Sequence, residues 1–156
     1  PPTARYLALD ISETMVSLAR KRLARFGGRV EVLRTGGEMR LPVDPGTCDR
    51  FLSCYVFDLL SDDDIRRLVQ EAHRALSSGG LLAVSSLTHG STFLPRLVEK
   101  AWGLVYRVRP RWVGGCRPIS ILSYVGAPEW NVSHRTEIVQ CGIPSEVVVA
   151  ERKPYG

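Results

Sequence analysis

Short apolar runs of strand length alternate along this chain with longer segments whose apolar residues recur at three- and four-residue steps. Parallel strands cannot be joined by a tight turn and need a crossover of a dozen or more residues, usually a helix. The alternation therefore predicts an α/β, Rossmann-like open and mostly parallel sheet with helices on both faces. Tyr6 to Leu9 reads as the first visible strand, ending at Asp10. Ser12 caps a helix with Glu13 in its first turn. Met15, Leu18, Ala19, Leu23 and Phe26 form its sheet-facing stripe, and Gly27-Gly28 ends it. Val30 to Leu33 is the second strand, and glycine- and proline-marked turns follow.

Phe51 to Phe57 is the third strand, apolar enough to be buried on both faces, with Cys54 packed in the run. Ser61 and the three aspartates after it open a helix whose stripe is Ile65, Leu68, Val69, Ala72, Ala75 and Leu76. Ser77 to Gly80 stops it, and Leu81 to Leu87 is the fourth strand. A helix over roughly residues 92–106 and a helical turn near Ile119 to Tyr124 come next. The tail reads as an antiparallel pair near Trp130–Val139 and Ser145–Glu151, so the parallel sheet ends in an antiparallel C-terminal strand pair.

With 156 residues, 44% hydrophobic and 24% charged, the chain suits one domain able to fold without disulfides. Its four cysteines include no C-x-x-C pair, which argues against a zinc site and a disulfide framework and points to a reducing, cytoplasmic setting. The opening Pro1-Pro2-Thr3-Ala4 has no signal-peptide character. No segment approaches the roughly 18 apolar residues of a membrane span. The net charge of +5 is densest at Arg107, Arg109, Arg111 and Arg117 around Trp112. A solvated face with arginine stems on apolar surface is the plainer reading of that stretch. An anionic substrate, an acidic membrane surface or nucleic acid are the sharper ones.

Ligands of open α/β sheets bind beyond the carboxyl ends of the strands. That directs attention to the residues just after Leu9, Leu33, Phe57 and Leu87. Asp10, at a strand end before a capped helix, can accept both hydroxyl protons of a ribose diol or can simply help Ser12 cap the helix.

Four segments resemble class I S-adenosylmethionine-dependent methyltransferases in the order that family has them. They are YLALDISETM from Tyr6, GGEMRLP from Gly36, CDRFLSCYV from Cys48 and EAHRALSSGGL from Glu71. The resemblance implies S-adenosylmethionine as cofactor, Asp10 on the ribose, Ile11 against adenine, and Gly37-Glu38 on the adenine N6 side. Ser53, Cys54 and Tyr55 would lie beside the methionine moiety. This sequence departs from the family at Gly37, where an acid is common, and at Ser78, where a proline is usual. It also has no glycine-rich loop about 20 residues before Asp10. The expectation is a single methyltransferase-like domain over residues 1–156, incomplete at its N-terminus. Upstream residues would supply a strand between Tyr6–Leu9 and Phe51–Phe57. The rival is a fragment whose sheet closes by re-pairing or by borrowing a strand from a second copy, a homodimer.

The implied reaction is methyl transfer to a small-molecule acceptor. His89, Asp58 and Tyr55 are the catalytic candidates if the acceptor must lose a proton, with Tyr124 a further tyrosine near a strand end. Trp102, Tyr106 and Trp112 are candidates to line an apolar cavity. A non-catalytic scaffold or truncated subunit is the alternative, and a nucleic-acid methyltransferase or binder stands last because no nucleic-acid module is present.

Overall fold

The computed structural model describes residues 3–89, 116–126, 128–140 and 143–154. The helix expected over 92–106, Trp102, Tyr106, Trp112, Arg107, Arg109, Arg111 and Cys141 lie outside them. The chain divides into two compact units, residues 1–39 and 40–156.

The first unit holds β1 (Tyr6–Asp10), α1 (Glu13–Leu23) and β2 (Val30–Arg34). β1 and β2 pair in parallel from Tyr6↔Val30 to Asp10↔Arg34, a right-length product of a helical crossover. Ser12 caps α1 as its type predicts, its hydroxyl accepting the Met15 N–H. The expected stripe is not buried. Met15 and Leu18 are exposed, and Val16 is the one buried residue among those described in this unit. A two-stranded sheet gives a helix too narrow a surface to cover five stripe positions. The helix also stops earlier than expected. A 3₁₀ turn takes over at Ala24 and carries Phe26, with Gly27 in a left-handed conformation inside it.

The second unit is a four-stranded sheet in the order β3-β4-β6-β5, with β3 at Cys48–Cys54, β4 at Leu76–Leu87, β5 at Trp130–Gln140 and β6 at Ile143–Arg152. β3 and β4 run parallel, joined by α2 (Asp62–Ala75); β6 runs antiparallel to both β4 and β5. The Ile65-to-Leu76 stripe is buried throughout, as its 3.6-residue period demands. His73 adds an unforeseen polar member, its ring set edge-on to Trp130 at 5.3 Å between centroids. Burial of its imidazole lowers the His73 pKa.

Two strand expectations need correction. β4 begins at Leu76, directly after α2 ends, and residues 77–80 lie within the strand at an irregularity in the β3 register, where Gly79 takes φ 75°. β3 is not buried on both faces. Leu52 is 71% exposed and Cys54 is exposed, while Ser53 between them is buried. The cause is position. Among the described residues β3 pairs only with β4 and β1 only with β2, so each is an edge strand. These are the two strands that the sequence reading leaves flanking an absent one.

The loop leading to β3 is held by α2. Glu71 accepts the Leu41 N–H at 2.7 Å and pairs with Arg74, which also donates to the Val43 carbonyl at 2.9 Å. Its pairing with Arg74 lowers the Glu71 pKa. At the other end of the sheet Glu146, 1% exposed, accepts the Ile121 N–H at 2.9 Å and the Arg135 Nε–H at 2.7 Å. One carboxylate thus ties the turn at Ile121–Ser123 to β5 and β6. Glu146→Ala orphans a buried N–H, and chemical denaturation should show a loss of about 1–3 kcal/mol.

Candidate functional site

In the first unit the residues of interest collect at the carboxyl ends of β1 and β2. The Asp10 carboxylate is part-buried, and its Oδ1 accepts the Ser12 N–H at 2.7 Å. This is the helix-start role weighed against ribose binding, and it also fixes the carboxylate's direction. Among the described residues Oδ2 accepts no hydrogen bond, so half of the group remains for a ligand's hydroxyls. Ile11, next in the chain, is 64% exposed, an apolar surface directly beside that carboxylate. Arg34 braces the turn by donating to the Ile11 carbonyl at 3.3 Å and pairing with Glu13 at 3.5 Å.

The Gly36–Glu38 turn follows β2. Gly37 has φ 96°, the left-handed region in which a side chain is strained. This accounts for the departure at that position, because an acid there would work against the backbone. Glu38 folds back so that its Oε2 accepts the Gly36 N–H at 2.9 Å. Its carboxylate therefore stiffens its own turn. A shallow groove lined by Arg20, Leu23, Val30 and Val32 lies at the opposite, amino end of β2 and takes in none of these residues.

In the second unit Ser53, Cys54 and Tyr55 stand in line where β3 ends. Ser53 is buried and Cys54 exposed. Tyr55 carries φ 54°, the only non-glycine residue with positive φ among those described. For a bulky side chain that is a true outlier and costs on the order of 1–3 kcal/mol. Its N–H donates to the Ser85 carbonyl at 2.8 Å and its hydroxyl bonds the Ser145 Oγ at 3.1 Å, so both ends of the residue are pinned. Ser145, at the start of β6, had no sequence signal. Only the β4–β6 register, Leu87↔Ser145, brings it to this edge.

Asp58 lies two residues farther on than the exposed Val56, in the 3₁₀ turn Phe57–Leu59, and is fully buried. Neither carboxylate oxygen meets a partner in full hydrogen-bond geometry, although donors lie nearby. Burial raises its pKa; the N–H groups of Asp58 and Leu87, the Cys116 thiol and the Arg117 charge pull downward without reversing the shift. Burial and the neighbouring Asp58 in turn raise the Cys116 thiol. Asp58 offers no surface for an acceptor to touch. His89, after β4, is exposed, and Thr88 before it is anchored by its N–H to the Pro144 carbonyl at 3.1 Å. Tyr124 donates its hydroxyl to Asp62 at 2.8 Å, and Arg117 pairs with the same carboxylate. Arg117, the described member of the basic stretch, is thus engaged within the fold.

The chain belongs to the methyltransferase-domain family, whose model matches residues 1–80, and S-adenosylmethionine is the cofactor of that family. No curated protein matches it in sequence. Solved structures share the fold at low identity. A SAM-dependent methyltransferase from Methanosarcina mazei is 14% identical with a TM-score of 0.71, over 99% of this chain and 85% of its own. Geranyl diphosphate methyltransferase in complex with SAM is 12% identical with a TM-score of 0.72, over 96% and 69%. The [4+2]-cyclase SpnF is 16% identical with a TM-score of 0.71, over 98% and 68%. These likenesses establish a class I methyltransferase fold, an α/β Rossmann-like architecture.

The raised pKa of Asp58 has a definite sign. The folded state holds the proton more tightly than the unfolded chain does. The resulting stability is complete below the unfolded carboxyl value, near 3.9, and is lost as pH rises through the folded value. Asp58→Asn should match the wild type in thermal melting near pH 4 and melt higher at pH 7. Equal melting offsets at both pH values would show that Asp58 is ionised in the fold.

Proposed function

We propose that the protein transfers a methyl group from S-adenosylmethionine to a small-molecule acceptor. The observation that carries this reading is Asp10. It stands at the carboxyl end of a parallel strand, its direction set by Ser12, with one oxygen left for a ligand. A carboxylate so placed holds a vicinal diol by accepting two hydroxyl protons. The exposed Ile11 supplies an apolar face for adenine, and the turn at Gly36–Glu38 presents backbone groups toward its N6 side. Ser53, Cys54 and Tyr55 attend the methionine moiety. When bound, the cofactor supplies an electrophilic methyl on a sulfonium that is already a good leaving group. The protein's part is then to hold the donor, orient an acceptor and keep water out. An acceptor that must lose a proton finds His89 exposed at the end of β4, in better reach than the buried Asp58.

The small-molecule acceptor draws support from the named relatives, one of which is a geranyl diphosphate methyltransferase. A second reading has its own support: another relative is named a [4+2]-cyclase, so this fold also houses a different reaction. Cofactor binding without methyl transfer to any acceptor would favour it.

Calorimetric titration with S-adenosylmethionine tests the first reading. Asp10→Ala should weaken binding by about 1.5–3 kcal/mol, the range of a hydrogen bond to a charged group, and leave the fold intact by circular dichroism. Absence of binding by the wild type at millimolar ligand would overturn the proposal.

A further inference from the structure

Tyr55 is held in an unfavourable backbone conformation by two hydrogen bonds, yet the residue is 49% exposed. Core packing therefore does not explain why the strain is kept. A residue strained at a strand's carboxyl end and pinned at both backbone and hydroxyl has a ring with one fixed direction. Strain of this kind persists where the surroundings over-determine it, and functional sites are where it collects.

Other described aromatic rings are otherwise placed, with Phe57 fully buried in the core and Phe51 within β3. The Phe26 ring is covered by the Arg25 and Arg29 guanidiniums at 4.8 and 5.9 Å, and Arg66 lies 5.7 Å from the Tyr124 ring. Trp130 is buried against His73. Tyr6 sits at the amino end of β1, away from the ligand edge. Among the described residues no guanidinium or ammonium stacks on Tyr55. An aromatic face is electron-rich and attracts a cation placed over it, the more so when the cation is poorly hydrated. A sulfonium is such a cation.

We infer that Tyr55 is a positioning residue that presents its ring to the positive sulfonium of the cofactor, with Ser145 holding that ring in place. The inference rests on the reading that Tyr55 lies beside the methionine moiety. It assigns Tyr55 the discrimination between charged donor and uncharged product. S-adenosylmethionine carries the sulfonium; S-adenosylhomocysteine has the same adenosine and amino-acid ends around a neutral thioether. A ring that serves only as packing treats the two alike.

The test is calorimetric binding of both molecules to purified wild type, Tyr55→Leu and Tyr55→Phe, with melting curves for each protein. Tyr55→Leu keeps bulk and removes the ring. It should weaken S-adenosylmethionine about 2- to 30-fold more than S-adenosylhomocysteine. Tyr55→Phe keeps the ring and should retain the wild-type ratio of the two affinities within about twofold, even if it melts lower for want of the Ser145 bond. Equal loss of both ligands in Tyr55→Leu, or no loss of either, overturns the inference while leaving the donor assignment intact. Loss of the ratio in Tyr55→Phe as large as in Tyr55→Leu overturns the ring's role even if the leucine variant is unstable. Failure of the wild type to bind either molecule sinks this inference together with the reading beneath it.

Discussion

The second unit is organised by the pairing of β4 on both of its edges. β3 takes one side in parallel and β6 the other in antiparallel, and the inward residues Leu82, Val84 and Ser86 are buried. What happens beyond the end of that strand follows from it. The Ser85 carbonyl holds Tyr55, the Leu87 carbonyl accepts the Ile119 N–H at 3.0 Å, and the Thr88 N–H reaches Pro144. Three separate chain segments are thus registered to one strand tip. The same register brings Ser145 to the tyrosine hydroxyl. The residues at this edge are positioned by a backbone ladder, which is stiffer than a loop.

Polar groups sealed behind that edge divide into two kinds. Glu146 is satisfied by a backbone N–H and a guanidinium, and it joins elements far apart in sequence. Asp58 is unsatisfied, and burial raises its pKa. A buried carboxyl without hydrogen-bond partners is worse for stability than an apolar residue. Its retention beside Cys116 belongs with the strained Tyr55 three residues earlier as local cost concentrated where β3 ends.

Much of this was legible in the residues. The α2 stripe, both serine caps, the turn near Ile121 and the closing antiparallel pair follow from periodicity and turn chemistry that tertiary contacts did not override. The four segments carrying the family resemblance led to the fold that the relatives share. What could not be read locally was exposure. An apolar run such as FLSCYV looks the same whether its strand is central or at an edge, and only pairing tells. The stripe of α1 failed for a related reason, since periodicity reports which face a helix offers but not how much surface there is to receive it. At the site, Asp10 was visible from its place before a capped helix, whereas the left-handed turns of Tyr55 and Gly37 and the reach of Ser145 are products of three-dimensional register. Gly37 is instructive because a departure from the family pattern became intelligible once its φ was known.

Residues 1–39 hold Asp10, Ile11 and Gly37 on five paired positions and a helix that buries only Val16 among its described residues. A segment with so few apolar contacts opens to solvent at low free-energy cost, and its amides trade hydrogen with water early. Any ligand bound by this unit would tighten that scaffold, so part of the interaction would go into ordering protein and the measured affinity would understate the contacts made. Such a unit is a weakly protected scaffold, whose order is the first thing that anything bound to it changes.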